Sequence, residues 1–296
     1  MNERLYVPTD SKGVEHAAAG HIIWHLPIGD DVVVTRVGRA LVLRQPEALL
    51  DVLDEQIYLA ESLDDVKVSV DGTAVVQAAR LVVQTRWDTE TATRFALDCA
   101  DYTLNETGDV SLPDGTFLSK VVSEARQVLD GIVSGNSDRL SYLARVHALR
   151  RLRHERTEVA DLSLGLLTAD EALDIDALDD PAYATVIPIT DCVLVAIEAL
   201  RHHVLPKPYM DIEDAREERE EHENLDSQRS VSGPKVVFTG FGTLVSGSPF
   251  LPYEPAWTAA REAARHARLA AKDRQGEVGE ANERARQATL LASILE

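Results

Sequence analysis

Two stripes of small residues close the chain and constrain its fold more than any other feature. Trp257, Ala260, Ala264, Ala267 and Ala271 recur at 3-4-3-4 spacing, and Ala281, Ala285, Ala288, Ala292 and Leu295 recur at 4-3-4-3. Such spacing keeps the side chains on one helix face, and methyl-sized groups let two helix backbones approach closely. The intervening Gly-Glu-Val-Gly-Glu, residues 276–280, is only long enough for a turn. The pattern therefore predicts an antiparallel helical hairpin with an arginine-rich opposite face. An alanine stripe buries little area, so the hairpin is expected to pack back on other helices.

Those other helices are expected over 87–205. Asp88 is placed to cap a helix carrying Ala92, Phe95, Ala96 and Cys99 on one face. The loop "NETGDVSLPDGT" leads to a helix over "FLSKVVSEARQVLD", which Gly131 is placed to end. A further helix is read over "SDRLSYLARVHALRRLRHER", and Thr168 and Glu171 form a capping box opening another. Pro181 and Pro188 are read as bracketing a loop, with Thr190 or Asp191 capping "CVLVAIEALRHHVL", which is apolar nearly all round and so expected at the centre of the core.

The first 86 residues are mixed. "KGVEHAAAGHIIWHL" can be helical up to Pro27, whereas "DDVVVTRVGRALVLRQ" and "DDVKVSVDGTAVV" are valine-rich and suit short strands. Leu49, Leu50, Leu53, Ile57 and Leu63 in "PEALLDVLDEQIYLAESL" fall at helical spacing, and "TAVVQAARLVVQTRW" also reads as helix. The fold class expected is mainly α: a multi-helix bundle with a small β component in the N-terminal part and a candidate β-hairpin near 236–246. The division expected is a mixed part over 1–86, a helical core over 87–205, an acidic linker or insertion over 206–235, and short strands with the hairpin over 236–296, all in one globular unit.

Charge narrows the function. Fifty acidic against thirty basic residues give a formal charge of −20, a field that repels phosphate backbones and argues against nucleic acid. The same field would steer a basic protein partner towards the chain. No run of about 18 apolar residues occurs and the N-terminus lacks a secretory pattern, so the expectation is a cytoplasmic protein without a membrane span. The two cysteines, Cys99 and Cys192, lie in apolar runs and read as buried thiols rather than a disulfide or a zinc centre.

Four groups of residues invite a chemical reading. His21 and His25, four apart, share a face on a helix or a strand and are the candidate metal ligands, but a metalloprotease motif needs Glu where Ile22 stands. His16 would point to the other side of that helix. Gly240, Gly242 and Gly247 follow a strand-like run, yet Ser248-Pro249 intervenes where a phosphate-binding helix would have to begin. On a helix, His147, Arg150, Arg151 and His154 form one basic face, the candidate site for an anion or nucleotide phosphate. Asp174, Asp176, Asp179 and Asp180 cluster without the glycine-bearing order of a calcium loop. No catalytic residue and no cofactor follows from these patterns. The leading expectation is non-enzymatic binding of a basic protein, with a metal-dependent enzyme built on His21 and His25 as the rival.

Two segments also resemble a known group. "RFALDCADYTL" at 94–104, introduced by Trp87, and "WTAAREAARHARLAA" at 257–271 are similar to the alanine-rich helical immunity-type proteins of actinobacteria, over roughly a quarter to a third of the chain. That resemblance implies a cytoplasmic protein that neutralises a basic toxin by covering it, with no catalytic residues.

Overall fold

A computed structural model describes residues 4–17, 20–28, 31–112, 115–130, 181–200 and 255–296. The chain begins with β1 (Leu5–Thr9), β2 (Val14–Ala17), β3 (Gly20–Ile23) and β4 (Val34–Arg44), then a single turn α1 (Pro46–Leu49), β5 (Gln56–Ser62) and β6 (Thr73–Gln84). Helices α2 (Thr89–Thr107), α3 (Leu118–Asp130), α4 (Pro181–Glu198) and α5 (Ala256–Leu295) follow. Strands β1, β4, β6 and β5 close into a four-stranded antiparallel barrel, and β2 and β3 form a separate hairpin. A closed barrel beside five helices, with about a quarter of the described residues in strands, overturns the expected helical bundle with a small β component.

Three segments account for the difference. Within the stretch expected as a helix, Val14–Ala17 and Gly20–Ile23 pair as strands β2 and β3, with Glu15 opposite Ile22 and His16 opposite His21. "PEALLDVLDEQIYLAES" is helical only over Pro46–Leu49 before it extends into β5. "TAVVQAARLVVQ" is the whole of β6. Its alternation is hidden because Ala74 and Val76 face the barrel interior in one phase and Ala79 and Leu81 in the other, where irregular pairing with β4 and β5 shifts the register. Alanine, glutamine and arginine between the valines add helix propensity that the sheet overrides.

Burial explains why β5 also lacks a polar alternation. Tyr58 and Ala60 fill the barrel, while Ile57 and partly buried Leu59 pack on the helices. On β1, Leu5 and Val7 point into the barrel and Tyr6 into the helical core. A strand covered on both faces reads as a continuous apolar run.

The β2–β3 hairpin supplies Ile22 and Trp24 to the barrel interior. It also carries a charge inside: Glu15, 2% exposed, accepts from Trp24 Nε1 at 2.9 Å and from Arg44 at 2.6 Å. Arg44 donates in addition to the Val42 carbonyl. Burying an ion pair costs desolvation, so its worth depends on both partners being present and on the further hydrogen bonds that saturate them.

The helical layer follows the sequence more closely. Asp88 caps α2 through a reciprocal box with Thr91, and Ala92, Phe95, Ala96 and Cys99 are buried on its inner face. Trp87, ahead of the cap, meets Phe95 edge to face and donates its indole N–H to the Asp54 carbonyl, tying α2 to the segment before β5. In α4, Pro188 lies inside the helix, so the loop expected between the two prolines is absent and Thr190 and Asp191 sit mid-helix rather than at a cap. From Ile189 to Leu200 nearly every side chain of this segment is buried, as its all-round apolar sequence requires.

Helix α5 breaks at Gly276, where φ is 66°, and its two arms run antiparallel, with Gln287 Nε2 donating to the Ala264 carbonyl at 3.0 Å. The first arm buries Ala260, Ala264 and Ala267 of its stripe. The second buries only part of the stripe read from its sequence: Leu295 is buried and Ala288 partly so, but Ala281 and Ala285 are exposed, and Gly279, Glu283, Gln287 and Leu291 face inward. Nor is arginine confined to the outer face. Arg268, with 7% of its side chain exposed, donates to Gln287 at 3.0 Å and to Asp51 at 2.6 Å, and Arg284 takes the other oxygen of Asp51 at 2.7 Å. One carboxylate after α1 thereby holds both arms. Residues 206–235, 236–246 and the helices read between 131 and 180 lie outside the described residues.

Two stability predictions follow from these seams. Glu15→Ala leaves the Arg44 guanidinium buried without its carboxylate and is expected to cost about 3–5 kcal/mol in denaturant unfolding, whereas Glu15→Leu combined with Arg44→Met is expected to recover most of that loss. Gly279→Ala would put a Cβ 2.3 Å from the Ala271 carbonyl oxygen, inside the tight end of the hairpin. Thermal melting is expected to show a loss of about 1–3 kcal/mol, the range for overpacking.

Candidate functional site

The residues singled out from sequence do not assemble as expected. His21 lies on β3 and His25 beyond its end, and both are exposed. The His25 amide donates to Thr35 Oγ1 at 3.0 Å. The partner of His21 is His16, across the hairpin, with the two Nδ1 atoms 3.1 Å apart and the rings edge to face. In an extended hairpin, residues directly opposite share a face, so a helical reading separated the two histidines that meet and paired two that do not. Among the described residues no group of three or more His, Cys, Asp or Glu could hold a metal ion. His147, Arg150, Arg151 and His154, the glycines at 240–247 and the aspartates at 174–180 lie outside the described residues.

A cleft of about 240 Å³ opens between α2 and the bend of α5, lined by Tyr102, Thr103, Glu106, Arg274, Asn282 and Glu283 among others. Its charges are matched within its own walls. Arg274 binds the Glu106 carboxylate at 2.8 Å and the Glu106 carbonyl, while Glu283 accepts from Arg286 and Gln287. The Arg286 guanidinium also stacks 3.9 Å over the Tyr102 ring. Thr103 and Thr107 spend their hydroxyl protons on helix carbonyls. The cleft therefore presents a saturated polar seam rather than an activated nucleophile beside a base.

Beneath it lie the two thiols. Burial pushes Cys99 up to about 12 and Cys192 well above its ordinary range, with the Arg286 guanidinium only partly offsetting the effect at Cys99. The Cys192 thiol donates to the Ala263 carbonyl at 3.3 Å, bonding α4 to α5. These are packing groups rather than reactive ones.

The most distinctive surface is the connection between β5 and β6, residues 63–72. Leu63, Val66 and Val70 stand exposed there, interleaved with Asp64, Asp65, Asp71 and Lys67. The loop is held in shape. Asp64 Oδ2 accepts the amides of Gln77 and Ala78 at 2.6 and 2.9 Å, Asp71 accepts from both the hydroxyl and the amide of Thr73, and a turn closes with Ser69 N–H on the Thr73 carbonyl at 2.7 Å. The Thr73 hydroxyl, with its amide, holds the Asp71 carboxyl below the usual carboxylate range. Val68 pairs with Ala74 and packs on the barrel core. The valine-rich sequence suited a short strand here, but over 63–72 the chain is a loop with a single bridge, Val68 to Ala74, and β6 begins only at Thr73.

Compared with protein families, with characterised proteins and with solved structures, the chain matches none. Among the described residues no helix is long and apolar enough to cross a membrane.

The cysteine environment is directly testable. The folded protein is expected to resist alkylation and disulfide-exchange reagents at neutral pH at both thiols, and to react fully at both once unfolded in denaturant. Rapid labelling of the native chain, read by mass spectrometry, would contradict the burial described above.

Proposed function

We propose that this chain is a non-enzymatic binding protein for a basic protein partner, and that the loop over 63–72 is its contact surface. The observation that carries the reading is the loop itself: three exposed apolar side chains set among three aspartates and one lysine, Lys67, on a backbone already fixed by its own hydrogen bonds. Exposed apolar groups supply contact energy, acidic neighbours select a basic surface, and a pre-ordered loop loses little entropy on binding.

The wider charge balance supports the same reading. Many of the described basic side chains are engaged by the chain's own acids: Arg80 with Glu61, Arg94 with Glu90 and Asp130, Arg126 with Asp98, Arg274 with Glu106, and Lys272 with Glu277 and Glu280. Much of the described positive charge is paired within the fold, and the whole chain carries a formal charge of −20. The similarity of 94–104 and 257–271 to immunity-type proteins supports the finer proposal that the partner is a basic toxin neutralised in the cytoplasm.

Co-expression with a basic toxin encoded beside it is expected to restore growth and to yield a stoichiometric complex, and absence of both rescue and complex would sink the proposal. Within a complex, Val66→Asp combined with Val70→Asp is expected to weaken binding by about tenfold or more, the effect of losing apolar anchors. Asp65→Lys is expected to slow association chiefly at low salt, measured by stopped flow or surface plasmon resonance. Unchanged affinity in both variants would remove the loop from the interface.

A further inference from the structure

Pairing across the β2–β3 hairpin divides its side chains between two environments. Glu15 and Ile22, opposite each other, enter the barrel; His16 and His21, the next pair, face outward and are exposed. Their Nδ1 atoms are 3.1 Å apart. Two nitrogens bound to one ion at about 2.0–2.1 Å lie about 2.9 Å apart for a right-angled chelate and about 3.4 Å apart for a tetrahedral one. The observed separation falls between these values.

The environment of His16 favours the tautomer that such a chelate needs. Asp10 Oδ2 stands 3.6 Å from His16 Nε2. Asp10 is itself fixed, its other oxygen accepting the amides of Lys12 and Val14 at 2.8 Å each. A carboxylate on that side keeps the proton on Nε2 and leaves the Nδ1 lone pair directed at His21, the arrangement in which a carboxylate orients a metal-binding imidazole. An ion held by the two Nδ1 atoms requires His21, like His16, to carry its proton on Nε2.

We propose that His16 and His21 form a two-histidine chelate for a divalent transition-metal ion of the nickel, copper and zinc group, oriented by Asp10. Imidazole nitrogen suits these ions, and with two protein ligands the rest of the coordination sphere is water. Binding would clip the two strands together at the open side of the hairpin whose inner face plugs the barrel. His25, whose backbone is engaged with Thr35, takes no part.

The test is calorimetric titration of the full-length chain, without a histidine tag, with Ni²⁺. One equivalent is expected to be lost, or weakened at least about tenfold, in His16→Ala and in His21→Ala, and retained in His25→Ala. Asp10→Asn is expected to keep the site but weaken it by about tenfold, the lower end for a residue that orients a ligand. His16→Gln and His21→Gln, which preserve a polar hairpin surface, are expected to reproduce the alanine results, with circular dichroism confirming the fold. Full stoichiometry in the His16 and His21 variants, loss of binding in His25→Ala, or no binding to the wild-type chain would each overturn the assignment.

Discussion

Over Leu5–Val7 and Ile57–Ala60, strands β1 and β5 have no solvent face, and the rest of the fold depends on that constraint. Their alternate side chains serve two interiors at once: Leu5, Val7, Tyr58 and Ala60 fill the barrel, while Tyr6, Ile57 and Leu59 belong to the helical core. Neither interior is complete without this shared wall. A four-stranded barrel encloses little volume, so its apolar filling is supplemented by Trp24 and Ile22 from the hairpin, and its outer wall is stabilised by the helices it supports. Separation of barrel and helices would expose both faces of the same strands.

Polar groups fasten the places where elements from distant parts of the sequence meet. Asp51 receives Arg268 and Arg284 from the two arms of α5, Trp87 reaches back to the Asp54 carbonyl, and Arg4 joins the Glu296 carboxylate at the other end of the chain. The strength of each differs with its exposure. The Arg4–Glu296 pair is open to water and contributes little, whereas Glu15–Arg44 is enclosed and its disruption leaves an uncompensated charge. Burial works against the charge on Arg268 and Asp51 supports it, so this pair acts as a positional clamp on the hairpin more than as a source of stability.

Much of the helical layer was legible residue by residue. Asp88 as the cap of α2, the apolar stripe of α2 and the unbroken apolar run of α4 are local signals, set by helical periodicity and capping chemistry, and they place those side chains correctly. The second arm of α5 was not legible in the same way. Its regular alanines suggested the inward face, but Gly279, Glu283, Gln287 and Leu291 are turned inward, because the close crossing at Gly279 and the pairing of Gln287 with Arg268 fix its rotation. The candidate sites show the same divide. His21 drew attention in the sequence, but its true neighbour was hidden by a helical reading of a hairpin. The valines of 63–72 suggested a strand, whereas the structure sets them in a loop with Val66 and Val70 exposed.

By itself the sequence determined where α2 and α3 start, which face of α2 is apolar, that 192–200 is apolar nearly all round, that the chain turns back on itself near Gly276, and that its net charge is strongly negative. These depend on neighbours three or four residues apart or on totals. Only the tertiary structure decided that 56–62 and 73–84 are strands, that Glu15 and Arg44 meet inside a barrel, and that His16 faces His21. Strand identity, register and the rotation of a helix arm depend on which residues lie opposite from far along the chain. Local periodicity carries no information about those partners when both faces of a strand are buried or when a register shift interrupts its alternation.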